Sequence, residues 1–375
     1  MNNPPNVIAF SYAKNVLLGG TRERERMVKY GSLLGTYHVI VFTKKAEQHP
    51  ARVEEKGVYF YATNSTSKVG MVKDAYKIGR SIINQNKEKK WTVSAQDPFG
   101  SSLPPLGLSL FCGATLQIQI HGDVFNKSFF SRNVFAIGKR CYAIFVLHQA
   151  KKIRVVSERI KRSLLVRGVR SEKIIVLPIQ SDIQTFFKVG EGRAYTPAGV
   201  VKFLYVGRFA PEKNLLLLIR SFAQAKSEGM NGALLLLGEG PTKTSLVAEA
   251  QRLNVTESVS FLPWSNDVAA IMGTVDVLCL SSFHEGYAMV LHEAMAAGLP
   301  VITTDVGCAG DVLRDKKEGL VVSVGDTRQY VEALKTLAHD SALRQQYGRS
   351  AHARAQVCTL SDEKYLHELV ESFTV

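Results

Sequence analysis

The chain has 375 residues, of which 46% are hydrophobic and 21% charged; this composition excludes a disordered or fibrous protein and predicts two globular domains. Its net charge is +14, with 29 Lys and Arg against 12 Asp and Glu in residues 1–185 and 18 against 21 in residues 186–375. The longest apolar run is far shorter than the roughly 18 residues of a membrane span, and residues 1–10 lack the features of a signal peptide.

The positive excess of the first half, +17, points to an anionic partner. Nucleic acid, a membrane surface and a phosphorylated substrate are the candidates, and a solvated basic face without a specific partner is the structural alternative. The densest cationic segment is 139–173, with 11 basic and two acidic residues. The five cysteines form no C-x-x-C or zinc-ligand spacing, which predicts reduced and mostly buried thiols in a cytoplasmic protein.

Strands alternate with helices through the first half, which predicts a parallel, doubly wound α/β sheet. The predicted strands are 7–10, 38–43, 58–61, 91–95, 115–120, 153–156 and 174–177. A helix is expected over 68–90, a breaker-rich loop over 96–106, and Ser157 as the N-cap of the next helix. Segment 124–135 interleaves aromatic and basic residues, which is typical of a core segment or of one that dips into a lipid interface. Its members are Phe125, Lys127, Phe129, Phe130, Arg132 and Phe135.

The second half repeats the α/β alternation, with predicted strands at 201–206, 233–237, 259–262, 275–280, 301–303 and 320–322. Segment 190–199 is polar and rich in glycine and proline, which is typical of a hinge. The predicted domains are therefore 1–185 and 186–355, and a last helix in 356–375 is expected to return to the first domain.

Segment 281–298, SSFHEGYAMVLHEAMAAG, joins two predicted strands and contains Glu285 and Glu293. A helix can begin at Gly286, so Glu285 would lie at its mouth and Glu293 two turns further on. A helix that follows a parallel strand directs its free amides into the crevice above the sheet, where they bind anions. The segment suits a phosphorylated, hydroxyl-rich ligand, and an ordinary βα unit with two solvated glutamates is the alternative.

Other polar residues follow predicted strands and so belong to the same sheet edges. Arg208 offers a planar fork and Lys213 a point charge, and together they can neutralise a diphosphate. In the first half, Gly19-Gly20 and His121-Gly122-Asp123 occupy such an edge. No D-x-D motif or His/Cys cluster is present, which favours a metal-free site without a cofactor, where cationic side chains and helix N-termini act in place of the metal.

Taken together, these motifs resemble the retaining glycosyltransferases of family 4, which have the GT-B fold. The matching sequences cover most of the chain: Gly19-Gly20, His121-Gly122, VVSERIKRSLLVRG, VGRFAPEKNLLLLI, LLLLGEGP, SFHEGYAMVLHEAMAAGLPVITTDVG and EGLVVSVGD. The E-x7-E spacing combined with an upstream GR-x4-K is specific. The resemblance implies two Rossmann-like domains facing across a cleft, with a nucleotide-sugar donor held mainly by the second.

The resemblance also implies roles for individual residues. Arg208 and Lys213 would bind the donor diphosphate, Glu285 would contact the transferred sugar, and Glu293 would hold the ribose. His121 would lie near the sugar and the acceptor, so the catalytic set is His121, Arg208, Lys213 and Glu285. The further donor-binding positions are Gly20, Glu239, Leu262, Gly286, Tyr287, Ala288 and Met289. Ala288 stands where the family frequently has glycine, and Asp123 is a candidate contact to the acceptor.

The implied activity is metal-independent sugar transfer with retention of configuration, with the leaving phosphate helping to deprotonate the acceptor. The acceptor is expected to be a lipid-linked or other anionic glycan of envelope or polysaccharide biosynthesis, used by a cytoplasmic enzyme with an optional peripheral membrane contact. The alternative enzyme is a GT-B epimerase or phosphorylase that acts on a related ligand, and it would need other catalytic residues. A nucleic-acid-binding α/β protein would use the basic half as its footprint, although it would not need a complete donor site.

Overall fold

A computed structural model describes residues 4–125, 134–180, 182–195 and 199–374. The chain divides into two compact units. The first contains Met1–Pro178 and Ser361–Val375, and the second contains Ile179–Leu360. The sequence places the same divisions at 185/186 and 355/356. By these bounds the first unit has 30 Lys and Arg against 15 Asp and Glu, so the basic excess belongs to it.

The first unit is built on an eight-stranded sheet in the order β3-β4-β2-β1-β5-β6-β7-β8. Its strands are β1 (Asn6–Ser11), β2 (Thr36–Val41), β3 (Arg52–Glu55), β4 (Val58–Ala62), β5 (Trp91–Ala95), β6 (Thr115–Ile120), β7 (Lys152–Val155) and β8 (Ile174–Val176). All neighbours pair in parallel except the edge pair β3 and β4. The helices that follow these strands are α1 (Arg22–Gly31), α2 (Lys68–Gln85), α3 (Leu103–Cys112), α4 (Val134–Gln149) and α5 (Glu158–Leu165). Ser157 caps α5 as expected, accepting a hydrogen bond from the backbone N–H of Ile160.

The second unit contains an all-parallel sheet in the order β11-β10-β9-β12-β13-β14. Its strands are β9 (Val201–Val206), β10 (Gly232–Leu237), β11 (Val259–Leu262), β12 (Val277–Leu280), β13 (Val301–Thr304) and β14 (Gly319–Val322). Its helices are α6 (Gln184–Glu191), α7 (Leu215–Ser227), α8 (Lys243–Arg252), α9 (Val268–Gly273), α10 (Met289–Ala296), α11 (Thr327–His339) and α12 (Ser341–Cys358). The predicted α/β class with two parallel sheets is confirmed. The central strands read as near-continuous apolar runs because helices cover both of their faces.

Helix α13 (Asp362–Glu371) returns to the first unit, where its end meets polar residues of the sheet. The hydroxyl of Thr92 donates to the carbonyl of Phe373 at 2.9 Å. Buried Arg154 donates to the hydroxyl of Tyr365 at 2.9 Å and to the carbonyls of Leu177 and Pro178 at 3.1 Å. Hydrogen bonds are what makes burial of such polar groups tolerable. One of the 11 basic residues of 139–173 is therefore internal.

Three expectations from the sequence are wrong. The segment 96–106 is not a loop throughout, because α3 begins at Leu103 and places its two prolines in the first turn, where a missing N–H costs nothing. Helix α2 ends at Gln85, five residues before the predicted end. The described residues 190–195 lie within the second unit and not at its boundary, and Arg193 anchors them there by donating to the carbonyls of Ala297, Val275 and Met272.

Phe125 of the aromatic and basic segment is buried, and the guanidinium of Arg167 lies 4.3 Å from its ring centroid, so this aromatic belongs to the core. Phe129, Phe130, Lys127 and Arg132 lie outside the described residues, as does the side chain of Phe135. All five cysteines are free, and Cys279 and Cys308 are buried. Cys141 is exposed, contrary to the expectation of mostly buried thiols, because it lies on the solvent side of α4.

Candidate functional site in the second unit

The second sheet has a switch point between β9 and β12. From β9 the chain moves outward to β10 and β11, and it then returns to the other side of β9 as β12. Ligands of open α/β sheets bind in the crevice at such a point, beyond the carboxyl ends of the strands. Arg208 and Lys213 follow β9, and Glu285 follows β12, so the chain order brings both groups to this edge.

Lys213 and Glu285 form the central contact of this edge. Their Nζ and Oε1 atoms are 2.7 Å apart, and their side chains are only 21% and 11% exposed. The hydroxyl of Ser282 donates to the same carboxylate oxygen at 2.7 Å. Because one oxygen of Glu285 receives both bonds, the orientation of the carboxylate is set before any ligand arrives.

The loops that carry this ion pair are tied together by buried hydrogen bonds. Ser281 donates to the carbonyl of Lys213 at 2.9 Å, and the backbone N–H of Phe283 donates to the carbonyl of Glu212 at 2.8 Å. Thr304, at the end of β13, donates to the carbonyl of Ser282 at 2.7 Å. The loops after β9, β12 and β13 therefore form one framework, which sequence spacing alone does not reveal.

Arg208 is the exposed cation of the site. Its side chain is 69% exposed, and its Nη2 atom lies 2.6 Å from Oε1 of Glu212. The pKa of Glu212 is lowered, although burial works in the opposite direction, because its own backbone N–H and then Arg208 donate to it. Each cation of the candidate diphosphate site thus has an acidic partner, and an exposed arginine can exchange that partner at small cost.

Glycines bring backbone close to backbone at this edge. Gly238 has a φ of 148°, and a Cβ there would lie 2.0 Å from the carbonyl oxygen of Gly207. Leu262, whose carbonyl accepts from the N–H of Gly238 at 3.1 Å, is the last residue of β11. Glu239 pairs instead with Lys243 at 2.8 Å on an exposed part of the loop, and both residues are open to solvent.

The helix after Glu285 begins later than the sequence suggests. Its first residue is Met289 and not Gly286, so Glu293 lies one turn inside α10 instead of two. Ala288 occupies the N-cap position with a φ of 64°, a left-handed conformation that favours glycine. A Cβ on Gly307 would lie 2.7 Å from the carbonyl oxygen of Tyr287, so the segment after β13 packs closely on this turn.

Tyr287 and Ala288 are buried, which leaves Gly286 and Met289 as the more accessible members of the turn. The ring of Tyr287 meets His292 edge to face, with 6.2 Å between the centroids, and His292 contacts the hydroxyl of Thr359 at 3.1 Å. Burial lowers the pKa of His292. The Tyr287 side chain therefore supports the turn, and only its backbone remains as a donor-binding element.

The candidate residues of the first unit occupy its own strand ends. His121 follows β6, and its Nδ1 atom is buried without a hydrogen-bond partner among the described residues. Burial, with smaller contributions from Arg154 and Arg26, lowers the pKa of His121 to about 4. Oδ1 of Asp123 accepts from the N–H of Phe125 at 3.1 Å and from the hydroxyl of Ser163 at 3.2 Å. Asp123 thus has a structural role at the start of its turn.

Gly20 has a φ of 72°, and a Cβ there would meet no atom within 4 Å. It directly precedes Thr21, which caps α1 by accepting from the N–H of Arg24. The glycine is required by the backbone conformation, and the space beside it is open. Among the described residues there is no group of three or more His, Cys, Asp or Glu side chains placed to hold a metal ion.

Two residues of the site are not predictable from the sequence. Ser282 and Glu212 contact Glu285 and Arg208 directly, yet serine and glutamate in strand-end loops are common and carry no signal of their own.

Part of the chain is similar in sequence to known proteins. Residues 196–354 match the family model described as glycosyl transferases group 1. The chain is 34% identical over 154 residues to an N-acetylgalactosamine-N,N'-diacetylbacillosaminyl-diphospho-undecaprenol 4-alpha-N-acetylgalactosaminyltransferase from Campylobacter jejuni, covering 41% of each chain. It is 31% identical over 165 residues to a lipopolysaccharide core biosynthesis glycosyltransferase from Rhizobium meliloti, covering 44% of this chain and 47% of that one. The chain thus spans less than half the length of these two relatives.

Solved structures match over nearly the whole chain. A sucrose-phosphate synthase from Thermosynechococcus elongatus superposes with a TM-score of 0.77 at 18% identity, covering 98% of both chains. The Anabaena protein HepE, solved in complex with UDP, superposes with a TM-score of 0.75 at 17% identity, covering 98% of this chain and 99% of that one. At such identities the likeness establishes a shared fold.

Proposed function

We propose that this chain transfers a sugar from a nucleotide-diphosphate donor to an acceptor hydroxyl with retention of configuration, because residues 196–354 match the glycosyl transferases group 1 family model and the chain shares the GT-B fold. The observation that carries the proposal is the largely buried Lys213–Glu285 pair at the β9/β12 switch point, beside exposed Arg208. At this edge of the sheet the cations suit the diphosphate of a nucleotide sugar, and the fixed carboxylate suits the hydroxyls of its sugar.

In this proposal Arg208 and Lys213 stabilise the negative charge that develops on the leaving diphosphate. Electrostatic stabilisation of the leaving group is commonly the largest contribution to such a reaction. Lys213 can donate to a phosphate oxygen while it still contacts Glu285, because an ammonium has three donors. Arg208 exchanges Glu212 for phosphate. Because Arg208 and Lys213 supply the positive charge that a metal ion would otherwise provide, we propose a metal-independent reaction.

Glu285 then holds the donor sugar. Its Oε1 is occupied by Lys213 and Ser282, so Oε2 is the oxygen that accepts from a sugar hydroxyl. The turn of Gly286 to Met289 supplies backbone amides at the mouth of α10, where a helix has no internal partners for its first N–H groups. Glu293 is proposed for the ribose, the strand end at Leu262 for the base, and His121 for the sugar and acceptor hydroxyls.

A panel of nucleotide sugars tests the donor. Thermal shift with UDP-, GDP- and dTDP-sugars should raise the melting temperature for one nucleotide class, because a ligand that binds only the folded state stabilises it. UDP is the first candidate, since UDP is bound in the related Anabaena structure. Arg208→Ala should weaken the shift, and Lys188→Ala, which removes an exposed cation of α6, should not. If no nucleotide shifts the wild-type protein, the donor proposal is wrong.

Product analysis tests the reaction class. Release of nucleoside diphosphate only when an acceptor is present supports transfer, whereas release of free epimer or of sugar phosphate would support an epimerase or phosphorylase. The anomeric configuration of the product, measured by NMR, decides between retention and inversion. Full activity after treatment with EDTA is the expected result, and a loss that Mg²⁺ or Mn²⁺ restores would contradict metal independence.

We propose a lipid-linked or other anionic glycan of envelope or polysaccharide biosynthesis as the acceptor, reached at an anionic membrane surface. The support is the basic excess of the first unit and the similarity of the chain to a diphospho-undecaprenol acetylgalactosaminyltransferase and to glycosyltransferases of lipopolysaccharide core and capsular polysaccharide biosynthesis. Val166 and Leu165 are 85% and 38% exposed at the end of α5, within the cationic segment. Within the described residues no helix is long and apolar enough to cross a membrane.

Co-sedimentation with liposomes tests the membrane contact. We expect binding to vesicles that contain phosphatidylglycerol at low salt and release at high salt, because each surface cation contributes about 1 kcal/mol at an anionic membrane. Charge reversal at Lys151 and Lys161 should reduce binding at least tenfold, and Lys243→Glu in the second unit is the matched control. Absence of binding at low salt would remove the membrane contact and leave the transferase proposal intact.

A further inference from the structure

The first sheet has a switch point of its own, and the proposed function assigns no ligand to it. β1 lies between β2 and β5, and all three strands are parallel, so the chain leaves β1 in one direction and later returns on its other side. A ligand crevice is expected beyond the carboxyl ends of β1 and β5. Tyr12 directly follows β1, and Asp97 lies two residues after β5.

Tyr12 presents an open aromatic surface at this point. Its ring stacks on Phe42, with 4.7 Å between the centroids and 30° between the planes, yet the residue is 51% exposed. Its hydroxyl has no hydrogen-bond partner among the described residues. The hydroxyl lies against Gly100, where a Cβ would be only 2.9 Å away. Tyr12 therefore packs against Phe42 and Gly100 on one side, and its other side is accessible to a ligand.

Asp97 lies in a turn that fixes its backbone and half of its carboxylate. Oδ1 accepts from the N–H of Phe99 at 2.7 Å, and Ser101 bonds to both the N–H and the carbonyl of Asp97 at 3.1 Å. Among the residues that the structure describes, no hydrogen bond reaches Oδ2. The carboxylate is therefore oriented and keeps one acceptor oxygen for another molecule.

A second phenol completes the cluster. The hydroxyl of Tyr142, on α4, contacts the buried hydroxyl of Ser102 at 3.0 Å, and Ser102 donates to the carbonyl of Phe99 at 2.7 Å. The pKa values of Tyr12 and Tyr142 are both raised, first by burial, and the negative charge of Asp97 acts on each of them in the same direction. The short segment 97–102 thus carries Asp97 and contacts both phenols, because Gly100 lies against the hydroxyl of Tyr12 and Ser102 contacts that of Tyr142.

We propose that Tyr12, Asp97 and Tyr142 form a subsite for a neutral sugar ring of the acceptor. The exposed face of Tyr12 packs against the C–H face of the ring, and Oδ2 of Asp97 accepts from a ring hydroxyl. The inference rests on the proposed transferase function and specifies the acceptor chemistry at this point. A sugar carboxylate here would be repelled by Asp97, and Lys14, two residues beyond Tyr12, is already paired with Glu47 at 2.6 Å.

Binding of methyl glycosides to the full-length protein tests this subsite. The probes are the methyl glycosides of glucose, galactose, mannose and N-acetylglucosamine, with methyl glucuronide as the charged counterpart, measured by saturation-transfer NMR. We expect at least one neutral glycoside to bind and the glucuronide to bind at least tenfold more weakly. Asp97→Asn should weaken the neutral glycoside several-fold and bring the glucuronide to within about threefold of it.

Variants of Tyr12 separate packing from hydrogen bonding. Tyr12→Ala should weaken the neutral glycoside at least tenfold, and Tyr12→Phe, which keeps the stack on Phe42, should weaken it only a few-fold. Tyr59→Phe is the matched control, because that ring stacks on His38 at the other side of β2. The subsite is refuted if no methyl glycoside binds the wild-type protein, if the glucuronide binds as well as the neutral sugars, or if folded Tyr12 and Asp97 variants bind within twofold of wild type.

Titration of UDP is run in parallel on the same proteins. UDP binding depends on the second unit, so we expect it to be unchanged by the Tyr12 and Asp97 variants. If neither UDP, GDP nor dTDP binds the wild-type protein, the proposed donor site is refuted, while glycoside binding still reports on the subsite. The two failures are therefore distinguishable.

Discussion

The Lys213–Glu285 ion pair should stabilise the second unit measurably, and a double-mutant cycle can quantify it. The Nζ–Oε1 distance is 2.7 Å and both side chains are largely buried. At an effective dielectric constant of about 20, their attraction is about 6 kcal/mol. Desolvation of both ions offsets most of this, and we expect a net coupling of about 2 kcal/mol.

The two single variants, Lys213→Met and Glu285→Gln, should each destabilise the unit by about 2–3 kcal/mol, because each leaves a buried polar group without its partner. The double variant should cost no more than either single variant. Hydrogen exchange of the β9 and β12 amides, followed by mass spectrometry, measures the second unit alone; a loss of about 2 kcal/mol corresponds to roughly 30-fold faster exchange. The β1 and β2 amides serve as an internal reference.

Lys243→Met is the matched control, since its pair with Glu239 has a similar distance, 2.8 Å, but exposed side chains. An exposed pair contributes at most about 1 kcal/mol, so this variant should change exchange only slightly. Exchange in Lys213→Met within twofold of wild type would refute the reasoning, because it would mean that burial adds nothing to the pair.

Three further predictions concern the charge, the backbone and the pH dependence. Glu212→Gln should raise the affinity for UDP about three- to tenfold in calorimetric titration, with a smaller gain at high salt, because it frees Arg208; an unchanged or weaker affinity would contradict this. Gly238→Ala should lower stability by about 3 kcal/mol or more, because the added Cβ would clash with the carbonyl oxygen of Gly207. Gly229→Ala is the control: this glycine also has a positive φ, but no atom lies within 4 Å of the added Cβ, so the change should cost only about 1 kcal/mol. Equal melting temperatures of the two variants would disprove the clash. Burial lowers the pKa of His38 to about 4. As the pH falls, His38 is therefore protonated near pH 6.5 in the unfolded chain but only near pH 4 in the folded protein. The contribution of His38 to stability should therefore decrease as the pH falls from about 6.5 to about 4, and it should not change above pH 6.5. In calorimetric melts at pH 4–8, His38→Gln should reduce the slope of stability against pH by up to about 1.4 kcal/mol per pH unit.

Most strands were predictable because they are apolar runs followed by glycine or polar residues. Trp91–Ala95, Thr115–Ile120, Val201–Val206 and Val259–Leu262 have the same bounds in the structure as in the prediction. The antiparallel edge strand Arg52–Glu55 was missed because its residues are charged and half exposed, so they carry no strand pattern. Prolines hid α3 because they break a helix everywhere except in its first turn.

The sequence by itself determined the α/β class, the alternation of elements and which residue types follow each strand, since these depend on local periodicity and chain order. It also placed Arg208, Lys213 and Glu285 at strand ends. Only the tertiary structure decided that Lys213 and Ser282 share one oxygen of Glu285, that Arg208 is held by Glu212, and that Tyr12 and Asp97 flank a second switch point. The physical reason is that side-chain contacts depend on which strands become neighbours and on how loops from distant parts of the chain bond to each other, and neither is encoded in the spacing of any one motif.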